Sequence, residues 1–296
     1  MARQEIDLTT PQPNGKMGEP TKAAWTKVND MTSEIYASAG MSGFISGKNM
    51  LINCGIPINQ RGFAGGALAA GVYGYDRWRA GSSGCNISIN PSNGLFSHNS
   101  GSIEQIVESP LLAWGAPVTL SVDSPTGPIS VSIGGATGVI PAGVGRMSVT
   151  VTPSGSGNML VRLTASGVNY SRPQLERGPA ATAYDVRFQS QELSLCQWYG
   201  EIVTDREFVA CAFSASNITG YVQFNSVKRA TPSLITIANG SWVGNGASGT
   251  ITTIVTGNIS NRGFRMDPTG FTGSVTQGFS YVIRGAIFFA DCELTS

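Results

Sequence analysis

From Pro117 onward, apolar side chains recur at every second position, then stop at clusters of glycine, asparagine, serine and proline. Val118, Leu120 and Val122 form one such run; Ile129, Val131 and Ile133 form the next. Met147, Val149 and Val151, then Met159, Val161 and Leu163, continue it, with SPTGP, GGATG and PSGSGN between them. A period of two puts alternate side chains on opposite faces of a strand, and the intervening residues are those that tolerate tight turns. Short strands at this spacing, with polar outer faces, predict a two-sheet sandwich. The pattern resumes after Asp205. Val222 and Phe224 are expected on one face, with Tyr221, Gln223 and Asn225 on the other. Further strands are predicted over 233–238, 249–255 and 279–289, separated by NGSWVGNGASG and GNISNRG. The chain is therefore read as mainly β, with two jelly-roll-like sandwiches.

One long segment carries a helical period instead. In residues 19–37, Trp25, Val28, Thr32 and Ile35 recur at helical spacing after Pro20, which suits a first turn. So narrow an apolar stripe does not hold a lone helix in water, and copies of itself are the expected packing partner through Trp25, Val28 and Ile35. Residues 1–16 are expected to be an extended arm, because Pro11 and Pro13 oppose helix. A short helix is predicted over 190–200 with Ser190 as its N-cap. The expected organisation is an arm and helix (1–46), a sandwich (47–188), a hinge helix (189–204) and a terminal sandwich (205–296).

Composition narrows the function classes. Nineteen basic residues against eighteen acidic give a net charge of +1, no field with which to hold a polyanion, so nucleic acid is not an expected partner. No apolar run approaches the roughly 20 residues that span a bilayer, and no leader with an apolar core opens the chain. Membrane insertion is therefore not expected. The five cysteines are widely spaced, with no C-x-x-C pair, and are expected to be buried small hydrophobes. The single histidine, His98 in GLFSHNS, is expected on a loop. No cofactor or metal is predicted.

Three segments resemble bacteriophage tail-fibre and receptor-binding proteins. In the first, EPTKAAWTKVNDMTSEIYA, Lys27, Val28, Asn29, Glu34, Ile35 and Tyr36 match the K-[VI]-N-x-x-x-x-E-[LI]-Y helix that opens many fibres. The second, KNMLINCGIPINQRGFAGG with YGYDRW, resembles an N-x-L-I-N…Q-R-G segment leading to a D-R-W element. The third, QLERGPAATAYDVRFQSQELSLCQWY, is similar to the close of the same module and the hinge helix that follows it. The second and third bracket a sandwich of carbohydrate-binding-module type, and the final ADCEL is similar to the ending of such fibres. The resemblance implies a homotrimer in the virion tail, made in the bacterial cytoplasm. The N-terminus would hold other tail or baseplate proteins, and the C-terminal domain a host receptor: glycan, pilus or outer-membrane protein.

Glycoside hydrolysis needs two carboxylates about 5–9.5 Å apart. Glu104 with Glu108, and Asp205 with Glu207, have spacings that also arise on ordinary surfaces, so no enzyme is expected. Asp76, Trp78 and Trp114 are the residue types that bind sugars, or else framework core. In the terminal domain Trp242 either fills its own core or meets a partner. With Asn245, Asn261, Arg262, Arg265 and Tyr221 it makes the expected receptor site. The rival expectations are a purely structural tail adaptor and a polysaccharide-degrading tail enzyme.

Overall fold

The computed structural model describes residues 6–18, 20–41, 48–204 and 206–295, the side chains of 33–41 excepted. The chain divides into two units, Met1–Lys48 and Asn49–Ser296.

In the first unit the described part of the arm is not extended. The Asp7 carboxylate accepts the backbone N–H groups of Thr9 and Thr10, and Pro11 bridges antiparallel to Met17, so the chain turns back on itself. The helix follows as α1 (Thr21–Met41), with the Pro20 carbonyl accepting the N–H groups of Ala23 and Ala24. Trp25 is 62% exposed and Val28 half-buried. The side chain of Ile35 lies outside the described residues.

The second unit is mainly β, as the alternation predicts. Its first half contains β1 (Gly66–Leu68), β2 (Arg79–Ile89), β3 (Leu95–Val107), β4 (Val118–Asp123), β5 (Ile129–Ile133), β6 (Ala136–Ile140), β7 (Arg146–Val151), β8 (Met159–Thr164) and β9 (Val168–Arg177). They hydrogen-bond in the order β6-β5-β8-β3-β9-β4-β7, with β2 added to β3 and β1 to β2. The sheet folds over so that Gly138 of β6 lies against Val149 of β7. The alternating residues Leu120, Val122, Ile129, Ile133, Val161 and Leu163 fill the space between. Burying them is worth about 1.5–3 kcal/mol per side chain.

His98 is not on a loop. It lies on β3, wholly buried, with Nδ1 at 3.2 Å from the Tyr170 hydroxyl and Nε2 at 3.0 Å from the Gly101 carbonyl. Burial holds its pKa below the ordinary histidine value. Cys54, Cys85, Cys196 and Cys292 are buried, whereas Cys211 is exposed.

Helix α2 (Gln189–Tyr199) follows. Phe188, not Ser190, occupies its N-cap, with no side-chain cap; the Ser190 carbonyl instead accepts the Ser194 hydroxyl. Its face Glu192, Cys196, Gln197 and Tyr199 is buried.

Beyond α2 come β10 (Gly200–Val203), β11 (Glu207–Ser214), β12 (Asn217–Gln223), β13 (Ser233–Ala238), β14 (Ser241–Gly244), β15 (Ala247–Gly257), β16 (Gly263–Phe271), β17 (Ser280–Arg284) and β18 (Ile287–Asp291). Among the described residues, β11-β12-β16-β15-β14-β17 close into a barrel, while β10-β18-β13 form a small sheet. The segment 279–289, expected as one strand, is split at Gly285 into β17 and β18, which serve different sheets. Barrel and sheet share a core that includes Phe208, Phe264, Tyr281 and Phe288.

Candidate functional site

The residues singled out in the sequence separate into three places. The first is interior. Trp242 is 1% exposed on β14, its indole N–H donates to the Thr272 carbonyl at 3.0 Å, and its ring meets Tyr281 and Phe271 edge-on. It is a core residue and no receptor contact. A polar, glycine-rich surrounding looked like a presenting loop, but those glycines let neighbouring backbone close over the indole. A side chain at Gly249 would strike the Thr272 carbonyl and the Trp242 ring nitrogen. Asn245, exposed in the β14–β15 turn, has its amide on the Thr276 hydroxyl. In the barrel order, β14 lies across from β12, so neither residue joins Tyr221.

The second place is a buried polar lock, and it corrects the sugar-contact expectation for Asp76 and Trp78. Trp78 is 3% exposed and donates its indole N–H to the Asn53 carbonyl at 2.8 Å. Asp76, equally buried, accepts the backbone and side-chain amides of Gln60 at 3.1 and 3.0 Å. Arg77 has no exposed surface, sits in the left-handed region at φ 69°, pairs with Glu293, donates to the Ile106 carbonyl and lies 3.4 Å over the Tyr199 ring. Arg61 reaches Asp291 at 3.1 Å. Gln60 also donates to the Gly200 carbonyl, and Tyr73 to that of Leu294. The Q-R-G, D-R-W and C-Q-W-Y segments and the final D-C-E-L thus converge on one cluster that fastens the strand halves and α2 together. Trp114, half-buried, donates to the Gly157 carbonyl and lies against Gly134 and Gly155, away from Asp76 and Trp78 in the lock.

This lock carries a pH dependence. Burial pushes the Asp76 carboxyl up from 3.8 to about 6. A raised folded-state pKa means that the native protein binds the proton more tightly than the unfolded chain. Its stabilising contribution is present in acid and is lost as pH rises through about 6. Asp76→Asn, which cannot ionise, is expected to gain on the order of 2 kcal/mol relative to wild type between about pH 4.5 and pH 7. Urea unfolding of both proteins at the two pH values measures it; parallel pH profiles would refute it.

The third place is the outer wall of the barrel. Tyr221 on β12 and Arg265 on β16 are direct register partners. Both line an open groove of about 500 Å³ with Val209, Cys211, Thr219 and Asn258. Tyr221 is 57% exposed. Arg265 holds Asp267 at 2.7 Å, which balances its charge and aligns its planar head along the wall. Asn261 and Arg262 are exposed in the turn between β15 and β16, of which Asn258 lines the groove and they do not. Beside it, beyond Glu207 at the start of β11, the outward side chains of that strand include Val209, 71% exposed, and Phe213, 76% exposed. Sequence reasoning missed them because EFVACAFS is almost uniformly apolar, leaving no alternation to tell the inner face from the outer.

The carboxylate pairs are occupied. Glu104 is buried on β3 between Arg79 and Arg162, and Glu108 accepts the Arg229 guanidinium and the Tyr199 hydroxyl. Glu207 pairs with Arg284, and Asp205 lies outside the described residues. Among the described residues no cluster of His, Cys, Asp or Glu is placed to hold a metal.

No protein-family model and no curated protein matches this chain. Of solved structures, discoidin II from Dictyostelium discoideum is similar at 12% identity and a TM-score of 0.19, over 68% of this chain and 81% of that one. A Paenibacillus cycloisomaltooligosaccharide glucanotransferase, solved with cycloisomaltoheptaose, is similar at 10% identity and a TM-score of 0.22, over 79% of this chain and 47% of that one.

Proposed function

We propose that this chain is a tail-fibre or receptor-binding protein of a tailed phage or a phage-derived tail particle. It attaches to tail or baseplate proteins through its N-terminal unit, assembles as a homotrimer, and touches the host cell surface with its barrel. The resemblance of its three segments to fibre proteins supports the class. The observation that carries host contact is the Tyr221–Arg265 groove bordered by exposed Val209 and Phe213. Antiparallel sheets ordinarily turn polar side chains to water, and an exposed apolar strip with an aromatic and an arginine is the composition of a contact site. Trp25, exposed on α1, supports self-association of the helix.

The test measures adsorption of the labelled full-length protein to host cells. Tyr221→Ala and the double variant Arg265→Ala/Asp267→Asn are each expected to weaken binding about ten- to a hundredfold, with the melting temperature little changed because the Tyr221 ring is exposed and the double variant leaves no buried carboxylate stranded. Undiminished adsorption with both variants would overturn the receptor assignment. The structural-adaptor reading is favoured by the lock around Arg77; on that reading neither wild type nor the variants adsorb to cells, and the variants fail to enter particles.

A further inference from the structure

The small sheet β10-β18-β13 has two edges, and they are finished differently. On β10, Gln60 donates to the Gly200 carbonyl at 2.9 Å and accepts the Ile202 N–H at 3.4 Å, so that edge is closed. On β13, among the described residues, no backbone group beyond those paired with β18 has a partner. Which groups these are follows from the register. Gly200 and Ile202 turn outward to Gln60, so their partners Asp291 and Phe289 on β18 face the other way, toward Ser233 and Ile235. Backbone groups alternate sides along an antiparallel strand, which leaves the N–H and C=O of Leu234 and Thr236 facing outward. The solvent face of β13 is apolar as well: Ile235 and Ile237 are each 55% exposed.

An edge of this kind is a template for another strand, and proteins ordinarily blunt it with charge. Here residues 230–261 contain no Asp, Glu, Lys, Arg or His. Nothing on β13 selects a charged partner, and nothing holds an identical edge away. We infer that β13 pairs antiparallel with β13 of a second copy of this chain, about a two-fold axis at Ile235. In that register Leu234 of each copy exchanges both backbone hydrogen bonds with Thr236 of the other, so all four outward groups are satisfied. The two Ile235 side chains cover one another across a non-hydrogen-bonded pair, the closer kind. Pro232 and the bulge between Thr236 and Ala238 confine the pairing to 233–237 and keep it short. A two-fold contact cannot close within a three-fold trimer, so in the proposed assembly it joins two trimers. The pairing rests neither on that trimer nor on host contact.

Disulfide trapping on the full chain tests the register, in a Cys211→Ser background because Cys211 is the exposed cysteine. Ile235→Cys sets two Cα atoms about 4.5 Å apart, within disulfide range. Ile237→Cys, equally exposed, leaves its pair more than about 13 Å apart. Under mild oxidation Ile235→Cys is expected to give at least about ten times more cross-linked dimer than Ile237→Cys on non-reducing gels. Equal yields, or more from Ile237→Cys, overturn the inference. Light scattering from about 1 µM to about 1 mM gives a second reading. Wild type is expected to double its mass over that range, and Ile235→Lys, which sets like charges face to face, is expected not to. A mass that never doubles, or that doubles equally in Ile235→Lys, overturns the pairing. A doubling from monomer to dimer supports the pairing and removes the trimer, whereas a trimer that never doubles does the reverse.

Discussion

Arg77→Met is expected to destabilise the second unit by about 3–5 kcal/mol, the cost of stranding one member of a buried ion pair. Glu293, with a side chain 4% exposed, would keep its charge facing a thioether, with Arg61 at 3.8 Å as its remaining cation. The Ile106 carbonyl would lose its donor and the Tyr199 ring its cation. For a unit of this size the loss corresponds to a melting temperature lower by about 10 °C. The double variant Arg77→Met/Glu293→Gln removes the stranded charge and is expected to recover much of the stability. A double-mutant cycle by urea unfolding measures the coupling. Additive losses in that cycle would show that the lock is mere packing. The result bears on function, because the lock joins the two strand halves of residues 49–296. The intact chain is accordingly the proper object of binding experiments, rather than an isolated C-terminal fragment.

Trp242→Ala is expected to cost about 3–5 kcal/mol, since it leaves a large cavity between Tyr281, Phe271 and the β14–β15 backbone. It also frees the Thr272 carbonyl from its donor. Trp242→Phe keeps much of the volume and is expected to lose less than half as much. Neither is expected to alter adsorption at temperatures where the variant stays folded, because the ring is not on the surface. A normal melting curve with lost adsorption would contradict the core assignment. Together with the Tyr221 and Arg265 variants, this separates effects on folding from effects on contact.

What was legible in the sequence is what depends on neighbouring residues. Val118, Leu120 and Val122 point inward because a strand's period of two is a local property, and the turn clusters between strands are local as well. The helix expected over 19–37 follows from Pro20 and the spacing behind it, although α1 begins at Thr21 and runs on to Met41, and the mainly β class follows from the sum of such segments. Tertiary structure alone decided the rest. Arg77 and Glu293 are 216 residues apart, so no window along the chain reveals that the D-R-W segment is a buried clamp instead of a sugar-binding edge. The polar, glycine-rich flanks of Trp242 suit both a core plug and a presented ring, and only the closing of the barrel turns those flanks into a lid over it. His98 lies in a polar stretch, yet β3 is bonded on both sides, and Tyr170 completes the pocket from β9. In EFVACAFS both faces of β11 are apolar beyond Glu207, and only its pairing with β12 and β17 leaves Val209 and Phe213 facing outward. Burial is set by which strands meet, and that depends on contacts between residues far apart in the chain.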